Sequence, residues 1–440
     1  MLTILASTGR VLWRHWPGLL AWFLAGTLAR YVLIEVAGFV GAHSEIIGML
    51  LLPLAVLVRL ASFVGMFLVV RDGLRELQAI APTPEDARER RATFVQALLA
   101  GILPFFAIYA AWGLLREDVN DYSLRGLEVR RDIIATDPNA GSWGGTDVGF
   151  GFWSILVVVI AFVLRWAWKR WQQKLPRGLA VVAVYLEGVW VFFFVWMLQD
   201  ALKLLGDWVS HRAAMVWLGD VRAWFGERLA VMNWLWDGVL WLLGEAGGIL
   251  LQPLAWLTVA GVIYGQAIAA RKLDAPAQIA ENRYLAAARK RYSGVPDWLR
   301  TRLTDLWNDF AGRFRPVGRA ILLMWRAGPV VIGTYVLLYT LVLAGQGLLR
   351  IVVIQVVGPH DLGFWMVADS LVLLVIPFII EPLRIAVVSS SYDATLGALR
   401  RSATPGAPVA TTGAPDAPGA TTSFEPASDQ GSTGNRGNSG

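Results

Sequence analysis

Four side chains in this sequence stand where a charge is expensive to hold: Arg59, Glu187, Glu381 and Arg384, each inside a long apolar stretch. A charge at the centre of a bilayer costs at least about 2.5–3.5 kcal/mol on insertion scales. Charges that persist there usually face the interior of a helix bundle or a water-filled cavity, and they pair with one another. Guanidinium and carboxylate groups gathered in such a cavity could form an anion or proton pathway. The bland alternative is a set of structural ion pairs. Arg59 follows Pro53, and Arg384 follows Pro382. A proline leaves a backbone carbonyl one turn earlier without its donor, so each helix is locally broken. Pro377, Glu381, Pro382 and Arg384 make the last apolar segment the most broken, a feature of helices that line transporter cavities.

Arg30, Glu35 and Arg326 are secondary candidates for the same intramembrane cluster. Arg30 and Glu35 are five residues apart, which separates them by about 140° around a helix. Their partners must therefore lie on other helices or among headgroups, and Glu35 can also be solvated near a helix end. Arg326 can snorkel to an interface.

Other chemistry finds little support. The chain has no Cys, which removes disulfides, thiolate metal sites and cysteine nucleophiles. The four His (His15, His43, His211, His360) show no zinc spacing, so no metal site is assigned, and no cofactor either. The stretch Asp137-Pro-Asn139-Ala-Gly141 touches the start of a calcium loop, but Val148 stands where the twelfth-position carboxylate belongs. No phosphate-binding loop and no nucleophile elbow occur. An enzyme would have to use Glu35, His43, His360 and Asp361 near one interface, and the sequence leans against it.

The elements that would position these charges are transmembrane helices. The chain is 56% apolar and 16% charged, against about 45–50% and about 25% for soluble domains. Eight runs approach or exceed the roughly 18–20 residues that cross a bilayer core. They cover Trp16–Phe39, Ile46–Val70, Phe94–Leu115, Phe152–Trp168, Leu179–Leu205, Ile249–Ala270, Val330–Leu349 and Phe364–Val388. The fourth is short, and the seventh has room to extend. Trp residues, 22 in all, gather at run ends, as expected of rings that favour the membrane–water interface. The first run holds Arg30 and Glu35 and lacks a cleavage site, so it reads as a retained span and not a signal peptide. The fold class predicted is an all-α integral membrane protein of about eight spans, arranged as four in–out–in hairpins.

Orientation follows from the basic residues. With the N-terminus in the cytosol, the inner segments hold 25 Lys and Arg and the outer ones hold 8. Both termini are then cytosolic, in a cytoplasmic (inner or plasma) membrane. The organisation predicted is a first hairpin and cytosolic loop over 1–93, and a second hairpin with an extracytoplasmic loop over 94–177. A third hairpin, with a Trp-rich outer segment, occupies 178–319, and a fourth occupies 320–401. Residues 402–440 are rich in Ala, Pro, Gly, Ser and Thr and form a disordered tail. Residues 297–315 set Leu299, Leu303, Leu306, Trp307, Phe310 and Phe314 at helical spacing, an amphipathic helix for the inner leaflet or the bundle. Residues 207–241 suggest interfacial helices or a re-entrant hairpin before the sixth span.

Short similarities hint at duplicated hairpins. Gly48-Met-Leu-Leu-Leu-Pro53-Leu-Ala matches Gly248-Ile-Leu-Leu-Gln-Pro253-Leu-Ala. The block Arg30-Tyr-Val-Leu-Ile-Glu35-Val-Ala-Gly38 matches Arg350-Ile-Val-Val-Ile-Gln355-Val-Val-Gly358. Because every hairpin runs in–out–in, such repeats would be related by an axis along the membrane normal.

The function expected is that of a transporter-like or transport-accessory protein with a polar intramembrane cavity. A non-catalytic complex subunit or scaffold is the alternative, followed by a membrane enzyme acting on a lipid-linked substrate. The expected partners are the lipid bilayer and other membrane subunits or a second copy. The net charge of +6 lies in loops and does not point to nucleic acid. Reporter fusions after Leu77, Trp171 and Arg289 should read cytosolic, and fusions after Asp132 and Arg222 external. A cytosolic signal at Asp132 would invert the topology.

Overall fold

The computed structural model describes residues 2–136, 180–213, 247–271 and 328–403, with scattered positions between 156 and 244. These residues are almost wholly helical. In chain order the helices are α1 (Leu2–His43), α2 (Glu45–Val70), α3 (Arg75–Ile80), α4 (Ala87–Ala111), α5 (Leu114–Thr136), α6 (Ala180–Ser210), α7 (Gln252–Arg271), α8 (Pro329–Val357) and α9 (Leu362–Ala403). A tight 3-10 turn, Arg71–Gly73, joins α2 to α3, and one wide π turn, Gly247–Leu251, precedes α7. Among the described residues, seven helices are long and apolar enough to cross a membrane: α1, α2, α4, α6, α7, α8 and α9.

Seven of the eight expected spans therefore coincide with helices. The remaining one, Phe152–Trp168, lies mostly outside the described residues. So do Arg326, the amphipathic segment 297–315 and the tail from residue 404 onward; most of 211–241 is likewise undescribed. The seventh span does run longer, to Val357. The third ends earlier than expected, at Ala111. There Gly113 takes φ +76, a conformation that costs glycine little and other residues more, and the chain turns before α5. Gly358, at φ +81, ends α8 in the same way, with its N–H bonded to the Ile354 carbonyl.

α2 is the hub. It is apolar almost all round, and such a helix is buried on most faces. Phe63 meets Phe105 of α4 at 5.7 Å and Trp256 of α7 at 5.0 Å between ring centroids. Phe67 packs edge-on against Tyr264 of α7, whose hydroxyl donates to the Phe67 carbonyl at 2.9 Å. Phe106 of α4 meets Phe192 of α6. α1 lies along α2 and also touches α5 and α9, while α8 rests mainly on α9.

Small residues let α1 and α2 approach closely, as in many membrane helix pairs. Gly26 faces Ser62, whose hydroxyl donates to the Trp22 carbonyl at 2.7 Å. The Trp22 ring lies flat over Gly65. Near the turn, a Cβ added to Gly48 would fall 2.4 Å from the Gly41 Cα and 2.9 Å from the Ala37 carbonyl oxygen. Those are backbone atoms and have no rotamer through which to yield.

Two connections expected as plain loops are built structures. The 71–93 connection folds over the end of α9. Arg71 donates to the carbonyls of Ala81 and Pro82, at 2.8 and 3.1 Å. α3 has no capping side chain of its own at Leu74. Instead buried Asp393 of α9 accepts the Leu77 N–H at 2.8 Å, and Arg400 reaches Glu76 at 2.8 Å. The 116–151 loop begins as the long helix α5.

Replacing Gly48 by Ala should destabilise the detergent-solubilised protein by about 1–3 kcal/mol, the range for overpacking a tight contact. Gly345, where an added Cβ meets nothing within 4 Å, is the control. Thermal unfolding should show a clear drop for Gly48→Ala and little change for Gly345→Ala. Equal behaviour would refute the close α1–α2 packing.

Candidate functional site

α5 looks soluble by composition, yet one face is apolar. Leu115, Val119, Tyr122 and Gly126 recur at helical spacing and are buried, together with Asp118. That face lies along the second half of α1: the Tyr122 ring packs on Gly41, and the Arg125 stem packs on Gly38. Burial, with Glu45 nearby, pushes the Tyr122 phenol up to about 12, so it is protonated across the physiological range.

This packing gives Arg30 and Glu35 their partners. Arg30 donates to Asp118 through Nε at 2.8 Å and through Nη2, and to Asp121 at 2.9 Å. Glu35 pairs with Arg125 at 2.8 Å. Neither Arg30 nor Glu35 pairs with the other, as their angular separation requires. Asp118 is fully buried and serves two donors, because Tyr109 of α4 also donates its hydroxyl proton to it at 2.7 Å. The phenolic oxygen then accepts from Arg59 of α2 at 3.1 Å, and the Arg59 guanidinium sits 5.4 Å from the Tyr109 ring centre. One chain of hydrogen bonds thus runs from α1 through α5 and α4 to α2.

Arg59 opens into a cavity of about 730 Å³ lined by α2, α4, α5, α7, α8 and α9. Counting about 1.5 Å of rise per residue, Arg59 lies about 21 Å along α2 and Glu381 about 28 Å along α9, near the middle of each helix. Glu381 and Arg384, both buried, form its second charged group. Arg384 bonds Glu381 at 2.8 Å and Gln346 of α8 at 3.0 Å, and its guanidinium lies 5.8 Å from the Trp256 ring. Glu381 Oε2 and Arg384 Nε have no hydrogen-bond partner among the described residues. Pro377 lines the same wall. Glu117 and Arg350 line the cavity while remaining exposed, so they stand at its mouth.

The structure brings together Arg59, Glu381 and Arg384, but it leaves Glu187 apart. Glu187 is buried on α6, beside the Gly188–Leu57 contact, and does not line the cavity. Sequence reasoning missed Asp118, Tyr109 and Arg350. The signal for Asp118 was the apolar face of α5, which was legible once 114–136 was plotted as a helix. The His residues named for enzyme chemistry make local contacts among the described residues. His43 bonds the Phe39 carbonyl at 2.9 Å, and His360 stacks on Phe364 at 4.1 Å.

No family model, no curated protein and no solved structure matches the chain.

Removing Asp118 should be costly, because it takes the buried acceptor from the Tyr109 phenol and leaves the half-buried Arg30 with Asp121 alone. Asp118→Ala should lower stability by about 3–5 kcal/mol, the range for breaking a buried ion pair. The double variant Arg30→Met, Asp118→Leu should recover much of that loss. Chemical or thermal unfolding in detergent reads both. A double variant as unstable as the single one would show that Asp118 acts through Tyr109 alone.

Proposed function

We propose that this chain is a transporter-like or transport-accessory membrane protein whose ligand site is the cavity between α2, α4, α7, α8 and α9. One observation carries the reading. Arg59, Glu381 and Arg384 lie at mid-helix in an apolar bundle, and they face a common space large enough for a small molecule. Pockets of about 300–1,000 Å³ lined by aromatic rings and a few polar groups are the ordinary form of ligand sites. The prolines of α9 beside Glu381 and Arg384 fit a helix broken where it lines a cavity. The eight-span topology, cytosolic termini and duplicated hairpins belong to the same proposal. In that topology the mouth at Glu117 and Arg350 faces outward, since it adjoins the turns at 112–113 and 358–361.

The scaffold reading draws on a different observation. α8 and the first half of α9 expose a continuous apolar surface, including Leu337, Leu341, Leu348, Met366, Val367 and Leu371. Lipid covers such a surface, and so would a membrane partner or a second copy.

The cysteine-free chain allows a clean test. Gly347 lines the cavity, and an added Cβ there meets nothing within 4 Å. In Gly347→Cys, a membrane-impermeant thiol reagent should label the protein in intact membranes. Leu341→Cys, on the exposed apolar face of α8, should stay unlabelled. A Gly347→Cys protein that reacts only after denaturation would mean a sealed cavity, and would favour the scaffold.

A further inference from the structure

We infer that the cavity selects anions: its ligand carries a carboxylate or phosphate group, which Arg59 receives, on a body with an apolar or aromatic face. The inference rests on the cavity being the ligand site and adds the chemical class.

Each charge near the deep part of the cavity can be assigned a partner, except one. Arg384 is matched by Glu381 at 2.8 Å. Asp118, behind the wall, shares Arg30 with Asp121. Arg59 has no carboxylate within 4 Å among the described residues, and its one hydrogen bond goes to the neutral Tyr109 oxygen. Tyr109 stands between Arg59 and Asp118 and commits its single proton to Asp118, so Asp118 and Glu381 attract Arg59 only from beyond ion-pair distance and give it no direct carboxylate partner among the described residues. A guanidinium has five N–H donors in a planar fork that fits carboxylate and phosphate. Arg59 directs one to Tyr109, and the rest remain available on the cavity wall. At the mouth Arg350 stands with Glu117, so the sign of the cavity is set by Arg59 in its deep part and not by the entry.

The polar atoms left over at the deep end are one donor and one acceptor. Arg384 retains an unpartnered Nε. The opposing feature is Glu381 Oε2, also unpartnered on a side chain more than nine-tenths buried. Its charge is already balanced by Arg384, so it suits a neutral donor on the ligand, a hydroxyl or amide, more than a second cation. The rings of Phe63, Phe105, Trp112 and Trp256 supply an apolar wall for the ligand's body. An anion seated on Arg59 would give a direct partner to the one deep cation that has no ion pair among the described residues.

The test uses full-length Gly347→Cys protein in nanodiscs. Two methanethiosulfonate reagents of similar size are compared, one bearing a sulfonate and the other a trimethylammonium group. After correction for a free thiol, the anionic reagent should react about tenfold faster, the lower end of electrostatic focusing in a cleft. Arg59→Gln should remove most of that preference. Benzoate should protect the thiol, and benzamide, its neutral isostere, should not. Phosphatidylglycerol added to phosphatidylcholine nanodiscs separates the sources: protection by this lipid alone would identify a headgroup as the anion, and protection only by benzoate a free solute. Equal rates for the two reagents, or equal protection by benzoate and benzamide, would overturn the inference while leaving the cavity as a ligand site. If Arg59→Gln does not fold, the acid–amide comparison on the parent protein still decides. A thiol that no reagent reaches would instead defeat the underlying reading of the cavity.

Discussion

The arrangement of this bundle depends on one buried carboxylate. Asp118 accepts from Arg30 on α1 and from Tyr109 on α4 while itself belonging to α5. It is fully buried, so its own charge has no water and is met by these two donors. A carboxylate in such surroundings is tolerable only when its charge is matched and its lone pairs are filled. That condition fixes three helices at once. α5 must lie along α1, the break at Gly113 must return the chain beside Arg30, and the end of α4 must present Tyr109. Arg59 then donates to the oxygen of the same Tyr109 hydroxyl.

The opposite end of the bundle is secured by similar means. Asp393 on α9 caps α3, a helix whose own N-terminal residue, Leu74, has no capping side chain. Arg400 adds an ion pair to Glu76. The 71–93 connection is thereby tied to the last described helix, and α1, α2 and α9 close round a common core. In between, the helices meet through glycine faces and aromatic rings. In a bilayer, close packing and hydrogen bonds must supply what apolar burial supplies in water.

The cavity follows from what these constraints leave unfilled. α8 leans on α9 and touches α7 more lightly, and among the described residues the space between α8 and the α2–α4 side stays open. The prolines of α9 interrupt its ladder where Glu381 and Arg384 face that space. The charges there differ in kind: Arg384 has a direct ion pair with Glu381, and Arg59 has no ion pair among the described residues and bonds the Tyr109 hydroxyl.

The sequence alone determined the class. Apolar runs of bilayer length can form only helices that satisfy their own backbone, and seven of the expected eight coincide with helices long enough to span. It also determined that Arg59, Glu381 and Arg384 are exceptional, because a charge within an apolar run is visible without coordinates. The partners were not visible. Asp118 lies in a stretch whose composition reads as a solvent-facing loop, and its burial arises only because α5 packs against α1. Glu187 looks equivalent to Glu381 in sequence but lies on another face of the bundle, since helix rotation and neighbour choice are set by packing and not by hydropathy. Sequence spacing places Arg384 one turn from Glu381 within one helix. The absence of any such carboxylate for Arg59 among the described residues is a fact of three dimensions, decided by which helices the tertiary structure sets beside α2.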